Sequence, residues 1–508
     1  MDKSLPKAKT KKFLLIAACL LVSIILIVVL IYKIRVPDTF KDPIKEFEVF
    51  QTKENESVIF IDGKECEYKI PNTDGNTVFT FDLGMSKLFI LNRTGDLFLI
   101  NNLNHPKKID EKVVSFKVSA NGKYVAYINS DKNLILKDVD SNKSKLIRDK
   151  LDNTLAFEIS PSGKSIVYAD KQNLNEAFVY VNTNGKERKL AEKMFPIAVN
   201  DDASSIYLIS PKEELYYLKP DKNEKKNKLI KLSDVSLGKF PIFFNNSMEE
   251  VVFSNEHGTF YFSEEEKNAK KILDEESAIM IPKLKAGGYS NLPDQKIVLS
   301  TSTVLKNYYY SLSNTIYYID NVEHSKKLAS KVTQAEITDN LDSLFYIDSD
   351  KNLYKLFKRD PENKQLLAKD CYSFISNSSG TAYYYIDKHN DLYYSYKNKE
   401  PEKYAEKTIN AMLNKDGTLI YTKFDKEEGV KGTVFVVKPG SEPKEIAKNA
   451  SGVLVSGKLY AYFVPKYDGD EEDIFKDPIK YFNELVYELY TSNDGVEFTK
   501  NDNLFKLD

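Results

Sequence analysis

The chain has 508 residues, 73 basic against 75 acidic groups, and 12% aromatic residues carried by 33 Tyr and 29 Phe with no Trp. That length removes any shortage of core, and 20 Gly with 18 Pro argue against collagen-like or low-complexity disorder. A net charge of −2, with no basic cluster beyond the first twelve residues, argues against a nucleic-acid partner.

The chain opens on Lys3, Lys7, Lys9, Lys11 and Lys12 against Asp2. Residues 13–32, FLLIAACLLVSIILIVVLIY, carry no charge. Twenty residues at 1.5 Å rise reach roughly 30 Å, the thickness of a bilayer core. The preceding Lys cluster directs the N-terminus to the cytoplasm, leaving 1–12 as a cytoplasmic stub and everything after 32 outside. A cleaved signal would have a shorter apolar core and a small-residue site after it, and KIRVPD follows instead. Ile16-Ala17-Ala18-Cys19 has lipobox form, but the mostly apolar run continues well beyond the Cys, so an uncleaved signal-anchor is the expectation.

Residues 33–55, with Pro37 and Pro43, read as a linker, and 56–508 as one extracytoplasmic ectodomain. Val58–Ile61 and Cys66–Ile70 around Asp62-Gly63 read as a hairpin that helps to close the structure against its last unit. Phe40-Lys41-Asp42-Pro43-Ile44-Lys45 recurs as residues 475–480, an identity with no evident physical reason.

From residue 86 onward one pattern returns about every 40 residues. Its best copy is 157–191, FEISPSGKSIVYADKQNLNEAFVYVNTNGKERKLA. The turn Ser160-Pro161-Ser162-Gly163-Lys164 leads into an apolar strand, Ile166–Ala169. A second strand, Ala177–Val181, follows a polar loop. Asn184-Gly185 then turns into Arg188–Ala191. The strand signal returns near 88, 124, 206, 251, 297, 344, 382, 419 and 459. Four short strands with their turns need about 40 residues, one blade of a propeller.

These residues resemble the TolB-type, WD40-like propeller repeat, with its Ser-Pro-x-Gly-Lys turn, Ile-x-Tyr-like strand, Gly turn and closing Leu-Ala. The resemblance covers 86 to about 500 in roughly ten degenerate copies. It implies an all-β fold: a β-propeller of about ten four-stranded WD40-like blades, in one large ring or two smaller ones. The stretch around 283–293, with Gly287-Gly288, is the candidate break.

Residues with chemistry are sparse. Gly163-Lys164-Ser165 lacks the earlier Gly of a phosphate-binding loop and reads as a turn. His105, His257, His324 and His389 are isolated from one another and from Cys, without zinc-site spacing. Asp138–Asn142 and Asp348–Asn352 alternate oxygen ligands but lack the Gly and Glu of a calcium loop. The run 468–473 is acidic, and Ser492–Phe498 resembles a shortened Asp-box turn. Tyr308–Tyr310 and Tyr383–Tyr385 fit strands whose alternate side chains pack between blades. Cys66 and Cys371 are either bridged or isolated thiols. No catalytic residue, metal ligand or cofactor site is predicted. The expectation is a single-pass membrane-anchored binding or scaffold protein, taking an envelope protein or small ligand. An envelope enzyme with a site in the channel and a sensor acting through a membrane partner are the alternatives.

Overall fold

The computed structural model describes residues 43–506, apart from stretches of which the longest are 235–241, 281–296, 300–307 and 468–484. Side chains of 278–313 and 319–325 are likewise outside the description. The expected membrane span (13–32), the acidic run and the candidate break all lie outside the described residues. Among those described, every regular element is a strand, and no helix is long and apolar enough to cross a membrane.

The strands form ten sheets among the described residues. Nine are built on successive strands in the spans 78–110, 113–148, 157–192, 195–231, 242–273, 332–368, 371–405, 408–450 and 452–506. One, the sixth, is assembled from 278–280 and 308–329. Each is an antiparallel meander of four strands at its core. In the third the strands are Phe157–Ile159, Ser165–Ala169, Phe178–Thr183 and Lys186–Glu192. The second strands are the most apolar and the most completely buried: Leu88–Leu91, Ser165–Ala169 and Ile206–Ile209 have no exposed residue. Fourth strands such as Ser144–Arg148 and Lys228–Lys231 are exposed. First strands lie beside one another from sheet to sheet, Phe157–Ile159 against Phe195–Val199 and Thr408–Leu413 against Gly452–Ser456. Inner first strands, outer fourth strands and cores between consecutive sheets make this a β-propeller.

Period-two alternation splits each second strand between two cores. In Tyr124–Asn129, Val125 and Tyr127 face the first sheet, while Ala126 and Ile128 face the third. Among the described residues, six sheets carry a stacked aromatic pair directly across the second and third strands. These are Tyr168–Tyr180, Phe253–Phe260, Tyr346–Tyr354, Tyr385–Tyr393, Tyr421–Phe435 and Tyr462–Tyr490, with centroids 4.8–5.7 Å apart. Such pairs add stability beyond area burial, and they explain a Tyr-rich chain without Trp.

The turn between first and second strands also repeats. A small polar residue opens it and accepts a backbone N–H four or five residues on: Asp82 from Lys87 (2.7 Å), Ser160 from Ser165 (3.0 Å), Asn200 from Ser205 (2.9 Å), Thr338 from Ser343 (3.0 Å), Asn377 from Ala382 (3.0 Å). Each turn leans on the next. Leu83 N–H donates to Ala120 O (2.9 Å), Ser162 N–H to the Asp201 carboxylate (2.6 Å), and Asn414 Nδ2 to Gly457 O (2.7 Å).

Phe47–Thr52, inside the stretch expected to be linker, is a strand. It pairs with Ser57–Ile61 and, through Gln51 and Thr52, with Lys506 and Phe505 of the last strand. Phe50, Val58 and Phe60 share a core with Leu459, Phe463, Leu489 and Phe505 of the tenth sheet. The same segment reaches the first sheet: Ile44 N–H donates to Met85 O (2.6 Å), and Phe47 packs edge-on to Phe81 at 5.0 Å. The expected turn at Asp62-Gly63 is present, but the arm that pairs with Ser57–Ile61 is Lys64–Glu65 rather than Cys66–Ile70, of which Ile70 forms an isolated bridge with Ser57. The segment from Ile44 to Ile61 clasps the last sheet to the first.

One strand departs from the repeat. Ile297–Leu299, expected to lead its own unit, runs parallel to Ile242–Phe244 at the inner edge of the fifth sheet. The corresponding strand of the sixth sheet is Tyr308–Leu312. A three-residue apolar run reads alike in both roles, and only long-range pairing separates them.

Candidate functional site

The best-formed repeat in the sequence is also where a cleft opens. It lies between the second and third sheets and has a volume of about 300 Å³. The second sheet contributes Tyr124, Leu136, Lys145 and Ile147. The third contributes Gly163, Lys164, Ile166, Asn182, Asn184 and Gly185. The apolar members continue a core holding Ile128, Leu134, Phe157 and Tyr168, so the cleft is the solvent-facing end of that core.

Two glycines shape it. Gly163 (φ +78°) sits under the Tyr124 ring, where an added Cβ would come within 2.5 Å of ring carbon. Gly185 (φ +90°) sits under Lys145, whose Nζ is 2.5 Å from where a Cβ would be. Only residues without a side chain let both turns of the third sheet pass so close beneath the second. Asn182 Oδ1 accepts the Gly185 N–H at 2.9 Å, fixing the hairpin.

Lys145 and Lys164 are exposed at the cleft and form no ion pair among the described residues. Carboxylates of the second, third and fourth sheets are engaged elsewhere. Glu187 accepts from Arg148 (3.1 Å) and from the Tyr168 hydroxyl, Asp201 from Ser162 N–H, and Asp138 from Asp140 and Ser141 N–H. Among the ten lining residues there is no carboxylate, imidazole, thiol or aliphatic hydroxyl. Two ammonium groups over an apolar and aromatic wall, with amides beside them, suit the holding of an anion on an apolar body.

No protein-family model matches the chain, and no curated protein matches it. Among solved structures it is similar to a tricorn protease, at 10% identity and a TM-score of 0.31, over 90% of this chain and 58% of that one. It is also similar to the dihydro-heme d1 dehydrogenase NirN in complex with DHE (15%, TM-score 0.36, 66% of this chain and 75% of that one). A third is an oligogalacturonate lyase in complex with manganese (8%, TM-score 0.29, 70% and 99%). The strand order, not these likenesses, identifies the fold.

The other candidates resolve mostly into turn and core chemistry. Asp348 Oδ1 accepts from Asp350 N–H (3.0 Å) and Asn352 N–H (2.9 Å), closing its own turn, as Asp138 does. Asp494 accepts from Val496 N–H (2.8 Å) and Glu497 N–H (3.2 Å), and these bonds with Ser492 hold its carboxyl down at about 2. The Asp-box-like segment is therefore a self-contained turn. Tyr383 and Tyr384 are buried, and the Tyr384 hydroxyl donates to Ala411 O (2.5 Å) in the next sheet. The side chains of Tyr308–Tyr310, His105 and His324 lie outside the described residues.

Three carboxylates near the inner strands are pushed up by burial. Glu158, in Phe157–Ile159, is held against this by Lys117 of the neighbouring first strand at 2.9 Å. Glu336 accepts from Ser376 N–H (2.6 Å) and Oγ–H (2.8 Å). Glu48 is raised by burial against a hydrogen bond from Ser456, with Glu46 as its charged neighbour. The partners differ: Lys117 for Glu158, Ser376 for Glu336, and Ser456 with Glu46 for Glu48.

Cys66 and Cys371 are free and buried, and burial pushes each thiol up to about 12. Thiolate is the reactive form. In a Cys19→Ala background, the native chain is expected to release no colour from a disulfide reagent such as DTNB at pH 8, and two equivalents once unfolded in guanidinium. Rapid native labelling would contradict the burial of either thiol.

Proposed function

We propose that this chain is a membrane-held, extracytoplasmic binding protein whose propeller takes a ligand or partner without transforming it. In this reading residues 13–32 anchor it, 1–12 form the cytoplasmic stub, and ten TolB-type blades make the ring that 43–70 clasp shut. The observation that supports binding over catalysis is the cleft of the second and third sheets. Its wall offers charge, amide and apolar surface but no carboxylate, imidazole or thiol.

Crosslinking in intact cells followed by capture through a C-terminal tag tests this reading. The expected result is a specific envelope or membrane protein, or a retained small molecule, recovered with the full chain. Recovery of neither, together with product release from envelope polymers by the purified chain, would replace the binder with an enzyme. Protease added outside spheroplasts should digest the ectodomain, and protection would reverse the topology.

A further inference from the structure

We infer that the cleft between the second and third sheets binds a small anionic amphiphile: a carboxylate or phosphate monoester on a compact aromatic or apolar body. The inference rests on the binding reading above and gives that site its ligand class.

The charge argument comes first. Lys145 reaches the cleft from the exposed fourth strand of the second sheet, and Lys164 from the inner turn of the third. They stand at its two sides, and neither meets a carboxylate among the described residues. Glu187 of the third sheet, Asp201 of the fourth and Asp138 of the second are already held by Arg148 with Tyr168, by Ser162, and by its own turn. Two like charges sharing one cleft are eased by an anion between them, and an ammonium binds phosphate or carboxylate as a point charge from either side.

The shape argument is independent of charge. Between the lysines the wall is Tyr124, Leu136, Ile147 and Ile166, the end of a core that the two sheets do not fill. Gly163 and Gly185 let the Tyr124 ring and the Lys145 side chain lie directly against the backbone of the third sheet, so these two side chains form walls of the cleft. A volume of about 300 Å³ falls at the lower end of ligand pockets, enough for a single ring or a short chain. Asn182, which lines the cleft, spends its Oδ1 on Gly185 N–H and fixes the hairpin there. A free inorganic anion would leave the apolar wall wet, and a neutral aromatic would leave the lysines uncompensated. A cation would be repelled. The combination selects an anion with an apolar body.

The test uses 4-fluorophenyl phosphate and the full chain in phosphatidylcholine nanodiscs, read by fluorine NMR. The expected result is saturable broadening of the probe signal, with no binding of 4-fluorobenzylamine and no displacement by equimolar inorganic phosphate. Lys145→Met and Lys164→Met keep the aliphatic stems and each weakens the probe about tenfold, the size of one charge-assisted contact. Affinity also falls as salt rises. An unchanged urea midpoint of the double variant shows that the fold is intact. Absence of saturable broadening, equal binding of the amine, or full affinity in the double variant would each overturn the assignment. If a crosslinked partner is still recovered from cells while the probe fails, the ligand class falls and the binding reading stands.

Discussion

Replacing Phe505 by alanine is expected to cost about 3–5 kcal/mol, the range for deleting a buried aromatic ring. Phe505 is wholly buried, pairs with both Tyr487 and Thr52, and meets the Phe50 ring at 6.0 Å. The loss falls on a seam with little to spare. Among the described residues, only Gln51 and Thr52 of Phe47–Thr52 pair with the last strand, supported by the Lys53 N–H to Leu504 O bond at 2.9 Å. Without the ring, the apolar faces of Phe50, Val58 and Phe60 lose their anchor in the tenth sheet. Amide exchange at residues 47–61 should therefore accelerate far more than exchange at Ser165–Ala169, at the centre of the third sheet. Uniform acceleration across the molecule, or none at 47–61, would show that the clasp does not depend on this contact.

Lys117→Met is expected to lower stability by about 3 kcal/mol at pH 7.5, because it leaves Glu158 charged and without its partner. The pair is 2.9 Å apart, with side chains only 9% and 17% exposed. The pH dependence follows from the direction of the Glu158 shift. Burial raises its folded value above the ordinary 4.5, and Lys117 is what restrains that rise. Its removal lets the value climb further. Above the folded value the variant carries the whole cost of a buried carboxylate. As pH falls through it, the native state takes up a proton before the unfolded chain does, and the cost shrinks. The deficit in urea midpoint should accordingly be larger at pH 7.5 than at pH 5. Adding Glu158→Gln should recover most of it at pH 7.5. Equal deficits at both pH values would mean that Lys117 acts through packing of its stem rather than its charge.

The second strands were legible in the sequence because both of their faces are buried, so each appears as an unbroken apolar run. The first strands were not. Phe157–Ile159 and Ile242–Phe244 are three residues long and read as turn flanks until their neighbours are in place. The residue opening each inner turn plays one role as Asp82, Ser160, Asn200 or Thr338, since any short side-chain oxygen closes that turn. Identity therefore varies while geometry repeats, which hides the repeat from residue matching. The candidate site was half visible. Gly163 and Lys164 stood out and read correctly as a turn, but what the turn faces depends on Tyr124 and Lys145 of another sheet. No local spacing places Lys145 over Gly185. That contact needs the twist and register of two sheets packed face to face.

The loan of Ile297–Leu299 to the fifth sheet limits how this molecule can be edited or can come apart. In a chain of stacked repeats, a unit contributes mainly its own strands, so excising one leaves its neighbours whole. Here a cut made at the repeat boundaries to remove the sixth unit would strip the parallel edge strand from Ile242–Phe244 as well. The fifth and sixth units are thus expected to open and close as one foldon, a double step in an otherwise unit-by-unit ladder of local stabilities.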